Sequence, residues 1–427
     1  MKIKLISAAV RSKSKWSQIM TLSLPAVAAA TPDGHEITIE DERVKKIRLD
    51  DTPDLVGISF EVFRVYRAYE IADHYRQRHV PVVLGGMHAS VMPEEGLLHA
   101  DAVVVGEADE VWPQVVADAE AGRMRGIYKG DRPVDLARLK PPRLDLLDAS
   151  LYFPLYPIEA TRGCTHACSF CSTRYVHGMG FRTRPVDRVI ADVERAGNRI
   201  VAFLDDNLAA DEAFAKALFT AMIPYGKKFF MQSHVLLAEN EELLSLAAKA
   251  GCLGVFVGVE SVSAAALSEA NKGFNKVERL KDNIAKFHDR GILVDGGIIF
   301  GFDTDTPDVF DRTIEALKRV KIDSVAVNIL IPYPGTEFYR KFEREGRIIC
   351  TDYSKYTGST VIVRPKNMTI EQLQAGYNRF TKDYYRMMEI VYRAFRQPNA
   401  VATITRLIAN VGHRVNCLPG RQGNPKQ

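Results

Sequence analysis

Short runs of β-branched and aliphatic residues recur along this chain with helical stretches between many of them, and that alternation restricts the fold more than any other feature. Strands separated by helices pair side by side as a parallel sheet with the helices packed on its faces. One set of runs reads KIKLISAAV, HEITIE, DLVGISF, VPVVLGG and DAVVVGE. A second reads YPIEATR, RIVAFLDD, KFFMQSH, GVFVGVES, VDGGIIFGF and DSVAVNILIPY. Between the sets, residues 129–157 hold five prolines and little periodicity, which reads as a linker.

The expected fold is therefore α/β. It comprises a flavodoxin-like (Rossmann-type) parallel-sheet domain over 1–128, the linker over 129–157, a partial (β/α)6 barrel over 158–350 and a helical C-terminal extension over 351–427. Six β-α units suit an open barrel better than a closed eight-stranded one. Within the extension, TIEQLQAGYNRFTKDYYRMMEIVYRAF places apolar residues at helical spacing and reads as one long packing helix, and the closing PGRQGNPKQ reads as disordered. In the first domain, strands run out into Ser59, Gly85, Gly86, Gly106 and Glu107. Such ends line the crevice where open parallel sheets bind ligands, although a glycine there also serves a tight turn.

At 427 residues, with 46% hydrophobic and 26% charged side chains, the composition is that of a folded protein of two or three domains. The 57 basic and 53 acidic side chains leave a net charge of +4, so bulk charge predicts no nucleic-acid partner. No apolar run approaches the ~18 residues of a membrane span. Lys2, Lys4, Arg11, Lys13 and Lys15 ahead of IMTLSLPAVAAATP look like a secretion signal. Against that, Pro25 interrupts the apolar stretch and KIKLISAAV reads as a buried first strand. Six cysteines are too few for a disulfide framework in so long a chain, and a reducing cytoplasm is expected.

Three of those cysteines stand together. Cys164, Cys168 and Cys171 form C-x3-C-x2-C directly after IEATRG, whereas Cys252, Cys350 and Cys417 are scattered. Zinc would take three thiolates and a fourth ligand, His166 or His177. An iron–sulfur cubane would take the three and leave one iron open. The later strand ends LDDN, QSH, GVES and IIFGF favour the cubane, because they make a cofactor-sized polar rim that a structural zinc knuckle does not need. The scattered cysteines read as small buried hydrophobes, with an acceptor role hardest to dismiss for Cys417.

With Phe170 just before the last cysteine, this signature resembles that of radical S-adenosylmethionine (radical SAM) enzymes. The resemblance implies that Cys164, Cys168 and Cys171 hold a 4Fe-4S cluster, that SAM chelates the open iron through its amine and carboxylate, and that electron transfer cleaves a carbon–sulfur bond of SAM to give an organic radical. FLDDN resembles the motif at the SAM amine, which implicates Asp205 and Asp206. GVES resembles the segment that approaches ribose and methionine, through Glu260 and Ser261, and GGIIFGF resembles the adenine-binding strand, through Ile299 and Gly301. LIPYPGTEFY, EGRI and DYSKYTG resemble the sixth-strand region. Each residue also has a plainer role open to it: helix capping for Asp205 and Asp206, a surface ion pair for Glu260, packing for Gly297 and Gly301, and core for Phe170.

The first domain resembles the cobalamin-binding module fused to one large radical SAM subgroup, the class B methyltransferase-like proteins, through LSLPAVAAATPDGHEITIEDE, VVLGGMHASVMPEE and DAVVVGEADEVWPQVVAD. It departs from the family's Asp-x-His-x-x-Gly loop: the corresponding RSKSKWSQ has no histidine, and Asp33 and His35 read as turn and strand residues. Cobalamin then binds without a histidine ligand, or the domain has lost it; the GGMHAS and GEAD loops favour binding. The resemblance implies C-methylation of an unactivated position on a small metabolite or natural-product precursor, with an external electron donor such as flavodoxin or ferredoxin. The alternative is a cobalamin-independent radical SAM reaction such as aminocarboxypropyl transfer, cyclisation or rearrangement. A more distant one is a zinc-stabilised protein without catalysis. Transfer-RNA methylthiolation is disfavoured, since the first domain has no cysteines for a second cluster.

Overall fold

A computed structural model describes residues 1–9, 18–396 and 400–417. Most of RSKSKWSQ and the tail PGRQGNPKQ lie outside the described residues, and Cys417 closes the last helix, Ala400–Cys417, without a described side chain.

The first sheet contains β1 (Lys2–Ser7), β2 (Glu36–Asp41), β3 (Leu55–Ser59), β4 (Val82–Gly85), β5 (Ala102–Val105) and β6 (Gly126–Lys129), in the order β2-β1-β3-β4-β5-β6. Every pairing is parallel. The order reverses between β1 and β3, and that switch point opens a crevice at the C-terminal ends of the strands. Successive residues of each strand serve opposite faces. Ile3, Leu5, Val83 and Val104 pack under helices Ser23–Ala30 and Trp112–Glu120. Ile6, Ile58, Leu84 and Val103 pack under helix Val65–Gln77. Both faces are covered, which explains the nearly continuous aliphatic runs. The sequence reading missed β6, a short edge strand whose half-exposed GIYK carries little hydrophobic signal.

The second sheet begins with β7 (Leu155–Ile158). A separate hairpin of β8 (Thr161–Cys164) and β9 (Gly180–Thr183) follows, and then β10 (Ile200–Phe203), β11 (Phe229–Ser233), β12 (Cys252–Glu260), β13 (Leu293–Phe300) and β14 (Ser324–Ile329). The six-stranded order is β14-β13-β12-β11-β10-β7, all parallel, with the helices between strands closing one large core. This is the open barrel that the second set of runs predicts. The run YPIEATR is not one strand, because its second half leaves the sheet to form the hairpin.

The long C-terminal helix of the sequence reading is also two, Ile370–Tyr384 and Met387–Ala394. The chain turns extended at Arg386, just after the Tyr385 hydroxyl donates to the Val325 carbonyl of β14. Helical periodicity continues through this break, so only the tertiary anchor reveals it.

Candidate functional site

Cys164 closes β8, and Cys168 and Cys171 follow in the loop that leads to the short helix Thr173–His177. Gly163 has φ +85°, and a Cβ there would collide with the Gly180 carbonyl across the hairpin. Glycine alone supplies both the left-handed backbone and the close approach. The loop is fastened to the segment beyond β12: Ser169 N donates to the Ala270 carbonyl (3.1 Å) and Asn271 Nδ2 to the Ala167 carbonyl (2.8 Å).

The three thiols are free. Burial pushes the Cys168 thiol up to about 11; the Lys272 ammonium opposes this, and the neighbouring Cys171, Glu260 and Cys164 reinforce it. The Lys272 ammonium near Cys168 works toward the anionic, metal-binding form of that thiol. Of the two zinc candidates, His177 has a carboxylate partner, whereas the buried Nε2 of His166 has no hydrogen-bond partner. His166 stacks on Phe274 with ring centroids 3.9 Å apart, and His177 Nδ1 lies 2.9 Å from Glu107 Oε1. Among the described residues no three His, Cys, Asp or Glu side chains close on a single metal ion. Three thiolates are the donor set that holds a cubane and leaves one of its irons open.

The strand ends named from sequence surround this loop. Asp205, buried just beyond β10, accepts from Ala160 N (2.9 Å), Thr161 N and Thr161 Oγ1 (2.7 Å), so it fastens the turn from β7 into β8. It does not cap the following helix, whose N-cap is Asp211. Its second oxygen has no partner, and burial raises the carboxyl to about 7. Asp206 is exposed and accepts from Thr173 Oγ1 (3.0 Å).

Glu260 ends β12 at φ +64°, an uncommon conformation for a residue with a side chain. It is 7% exposed and bonds Lys272 Nζ at 2.6 Å, so it is not the surface pair of the plainer reading. A Cβ at Gly258 would strike both partners of that pair. Ser261 is buried beside it, and its hydroxyl accepts from Ser263 N (3.1 Å). Phe170 and Ile299 pack against the same apolar cluster, around Phe302, Leu330 and Phe338. Gly301, at φ +102°, donates its N–H to Asp305 (2.9 Å).

A cavity of about 410 Å³ opens at the C-terminal edge of the first sheet. Leu5, Gly57, Val83, Val104 and Trp112 contribute its apolar lining, and Ser59, Gly85, Gly86, Gly106 and Glu107 all reach it. Ser90 stitches two of those loops, accepting from Gly106 N (2.9 Å) and donating to the Gly86 carbonyl (2.8 Å). A further wall comes from the second half of the chain, through Glu159, Arg162, Val176, His177 and Arg184. The cavity therefore abuts the cysteine-bearing hairpin. His35 lies outside it, 3.2 Å from the Met1 amine at the N-terminal end of β2, and Asp33 sits in the preceding turn.

Glu107 has a role that sequence reasoning missed. Its carboxylate is taken by Arg182 (2.8 Å), His177 (2.9 Å), Arg162 (3.4 Å) and Val134 N (3.1 Å). Burial would raise its pKa, but these partners together hold it far below the usual carboxylate range. Arg162 also binds Asp109 (2.7 Å) and Glu159 (3.0 Å), so the cluster ties the first sheet to the hairpin. Arg162 was visible in sequence only as the residue two before Cys164; Lys272 carried no motif.

Residues 158–317 match the family model of the Radical SAM superfamily, and residues 16–116 match that of the B12 binding domain. The chain therefore carries a radical SAM domain, preceded by a B12 binding domain. Bacteriochlorophyllide d C-12(1)-methyltransferase of Chlorobaculum tepidum is 29% identical to it, over 89% of this chain and 85% of that protein. Bacteriochlorophyllide d C-8(2)-methyltransferase of the same organism is 28% identical, over 97% and 96%. The cobalamin-dependent S-adenosylmethionine radical enzyme OxsB, solved with aqua-cobalamin and S-adenosylmethionine, shares the fold at a TM-score of 0.71 and 15% identity, covering 97% of this chain and 71% of that one. For this radical SAM enzyme the family implies a 4Fe-4S cluster and SAM, and its B12 binding domain implies cobalamin. The free thiol trio fits the first, and the glycine-lined cavity at the switch point fits the last.

Proposed function

We propose that this chain is a cobalamin-dependent C-methyltransferase acting on an unactivated carbon of a small hydrophobic molecule, of the ring-bearing tetrapyrrole kind named in its relatives. The observation that carries the reading is the adjoining of two sites: the cavity of the first sheet shares Arg162, Val176 and His177 with the hairpin and helix on either side of the cysteines. When bound, the cluster and SAM supply a hydrogen-abstracting radical and cobalamin supplies the methyl group. Cys164, Cys168 and Cys171 would hold the cluster. Asp206, the Glu260–Lys272 pair, Ser261, Ile299 and Gly301 would form the SAM rim, with Asp205 and Phe170 keeping that rim in place. Ser59, Gly85, Gly86 and Gly106 would let the cobalamin approach backbone directly, since none carries a bulky side chain. What the protein contributes is orientation and exclusion of water.

The free thiols suit a reducing cytoplasm, and flavodoxin or ferredoxin suits the role of electron donor. No helix among the described residues is long and apolar enough to cross a membrane. The test is anaerobic incubation of reconstituted protein with SAM and reductant, with and without methylcobalamin, with bacteriochlorophyllide d as trial substrate. Methylated product that requires methylcobalamin supports the reading. 5'-Deoxyadenosine released with no cobalamin uptake, or methylthioadenosine as the released fragment, overturns it.

A further inference from the structure

The last helix turns the usual amphipathic arrangement inside out. Helix Ala400–Cys417 buries its polar side: Arg406 Nε donates to Asp323 Oδ1 (2.6 Å), Asn410 Nδ2 to the Asp323 carbonyl (2.9 Å), and His413 Nε2 meets Asp295 Oδ2 (3.0 Å). Its aliphatic residues Val401, Ile404, Ile408 and Val411 face solvent at 42–57% exposure. The neighbouring helix Met387–Ala394 is joined to it through Arg393 and Asn410 (2.8 Å), and exposes Met387, Met388, Val391 and Tyr392. With Phe395, nine of the sixteen large apolar side chains exposed among the described residues lie between 387 and 411. Contiguous apolar surface of this kind marks a contact face.

The spacing identifies what covers it. Positions 401, 404, 408 and 411 repeat by three and four, all four residues are β-branched, and together they form the narrow seam of a helix that packs on another helix. The cations that a helix lying on lipid would offer to headgroups are spent inward: Arg406 on Asp323, His413 on Asp295, and Arg414 on the Tyr385 carbonyl (2.9 Å). Nine large side chains are of the scale of the about 800 Å² that each partner gives to a standard interface. We propose that this face pairs with the same face of a second copy of the chain about a two-fold axis, where a self-complementary patch closes on itself.

The experiment is sedimentation and light scattering of the anaerobically reconstituted full chain across the micromolar range. The expected mass is twice the chain's 47.7 kDa. The double variant Ile404→Glu/Ile408→Glu should halve it, with far-UV circular dichroism and cluster absorbance unchanged. A wild-type mass of one chain at every concentration overturns the proposal, and that result does not depend on whether the variant folds. A folded double variant that stays dimeric overturns it too. So does single-chain wild type that floats with phosphatidylcholine–phosphatidylglycerol vesicles, which would assign the face to lipid.

Discussion

Glu107→Gln tests how the two halves of this enzyme are held together. The substitution keeps size and shape but removes the charge on which Arg182, His177 and Arg162 converge. Removing one partner of a buried ion pair costs about 3–5 kcal/mol. Here Arg162 keeps Asp109 and Glu159, and Arg182 keeps the carbonyls of Val134 and His177 (2.8 and 2.9 Å). Those surviving bonds bring the expected loss down to about 2 kcal/mol. At about 1.4 kcal/mol per factor of ten, amides that exchange by opening of this contact should exchange about thirty times faster. The assay is hydrogen–deuterium exchange by mass spectrometry on the whole chain. Acceleration should be confined to residues 105–111, 132–136 and 173–184, with β12 and β13 unchanged and with Asp311→Asn, at an exposed pair with Arg379, as the control. Unchanged exchange in those segments, or equal acceleration everywhere, would refute the argument that Glu107 ties the cobalamin domain to the cysteine hairpin.

Three further outcomes follow from the same geometry. Gly163→Ala should lower iron content after reconstitution several-fold with the first sheet intact, because left-handed backbone costs a side chain about 1–2 kcal/mol and the Gly180 carbonyl must also move; full iron loading would count against it. Gly86→Ala, at φ +94° with a Cβ 2.7 Å from the Phe60 carbonyl, should weaken cobalamin retention about tenfold or more, measured by equilibrium dialysis; wild-type retention would remove Gly86 from the site. Asp205 has its folded pKa raised from 3.8 to about 7, so the stability it lends is complete below pH 4 and is lost as pH rises to 7. Asp205→Asn should flatten that decline in denaturant melts of cluster-free protein, by at most about 4 kcal/mol at about 1.4 kcal/mol per pKa unit; an unaltered slope would show that Asp205 is not the titrating group.

The sequence by itself determined the two parallel sheets, since period and composition are local properties: aliphatic runs separated by helical stretches have few other ways to bury both faces. It also determined the thiol trio, because three cysteines within eight residues meet whatever lies around them. What the tertiary structure alone decided are relations between distant segments. Glu107 read as a ligand contact until Arg162 and Arg182 met it across the cavity. Asp205 read as a contact of the SAM amine, or else as a cap for its own helix, until it bonded Thr161 on another strand. Lys272 had no motif until it paired with Glu260. The break at Tyr385 left no mark on the helical period, because it follows from a hydroxyl bonded to β14. The outward seam of the last helix is legible as a repeat, yet which side of that helix faces water depends on Asp295 and Asp323, more than eighty residues earlier. Charges and hydroxyls choose partners by distance in space, and one-dimensional patterns carry no such distance.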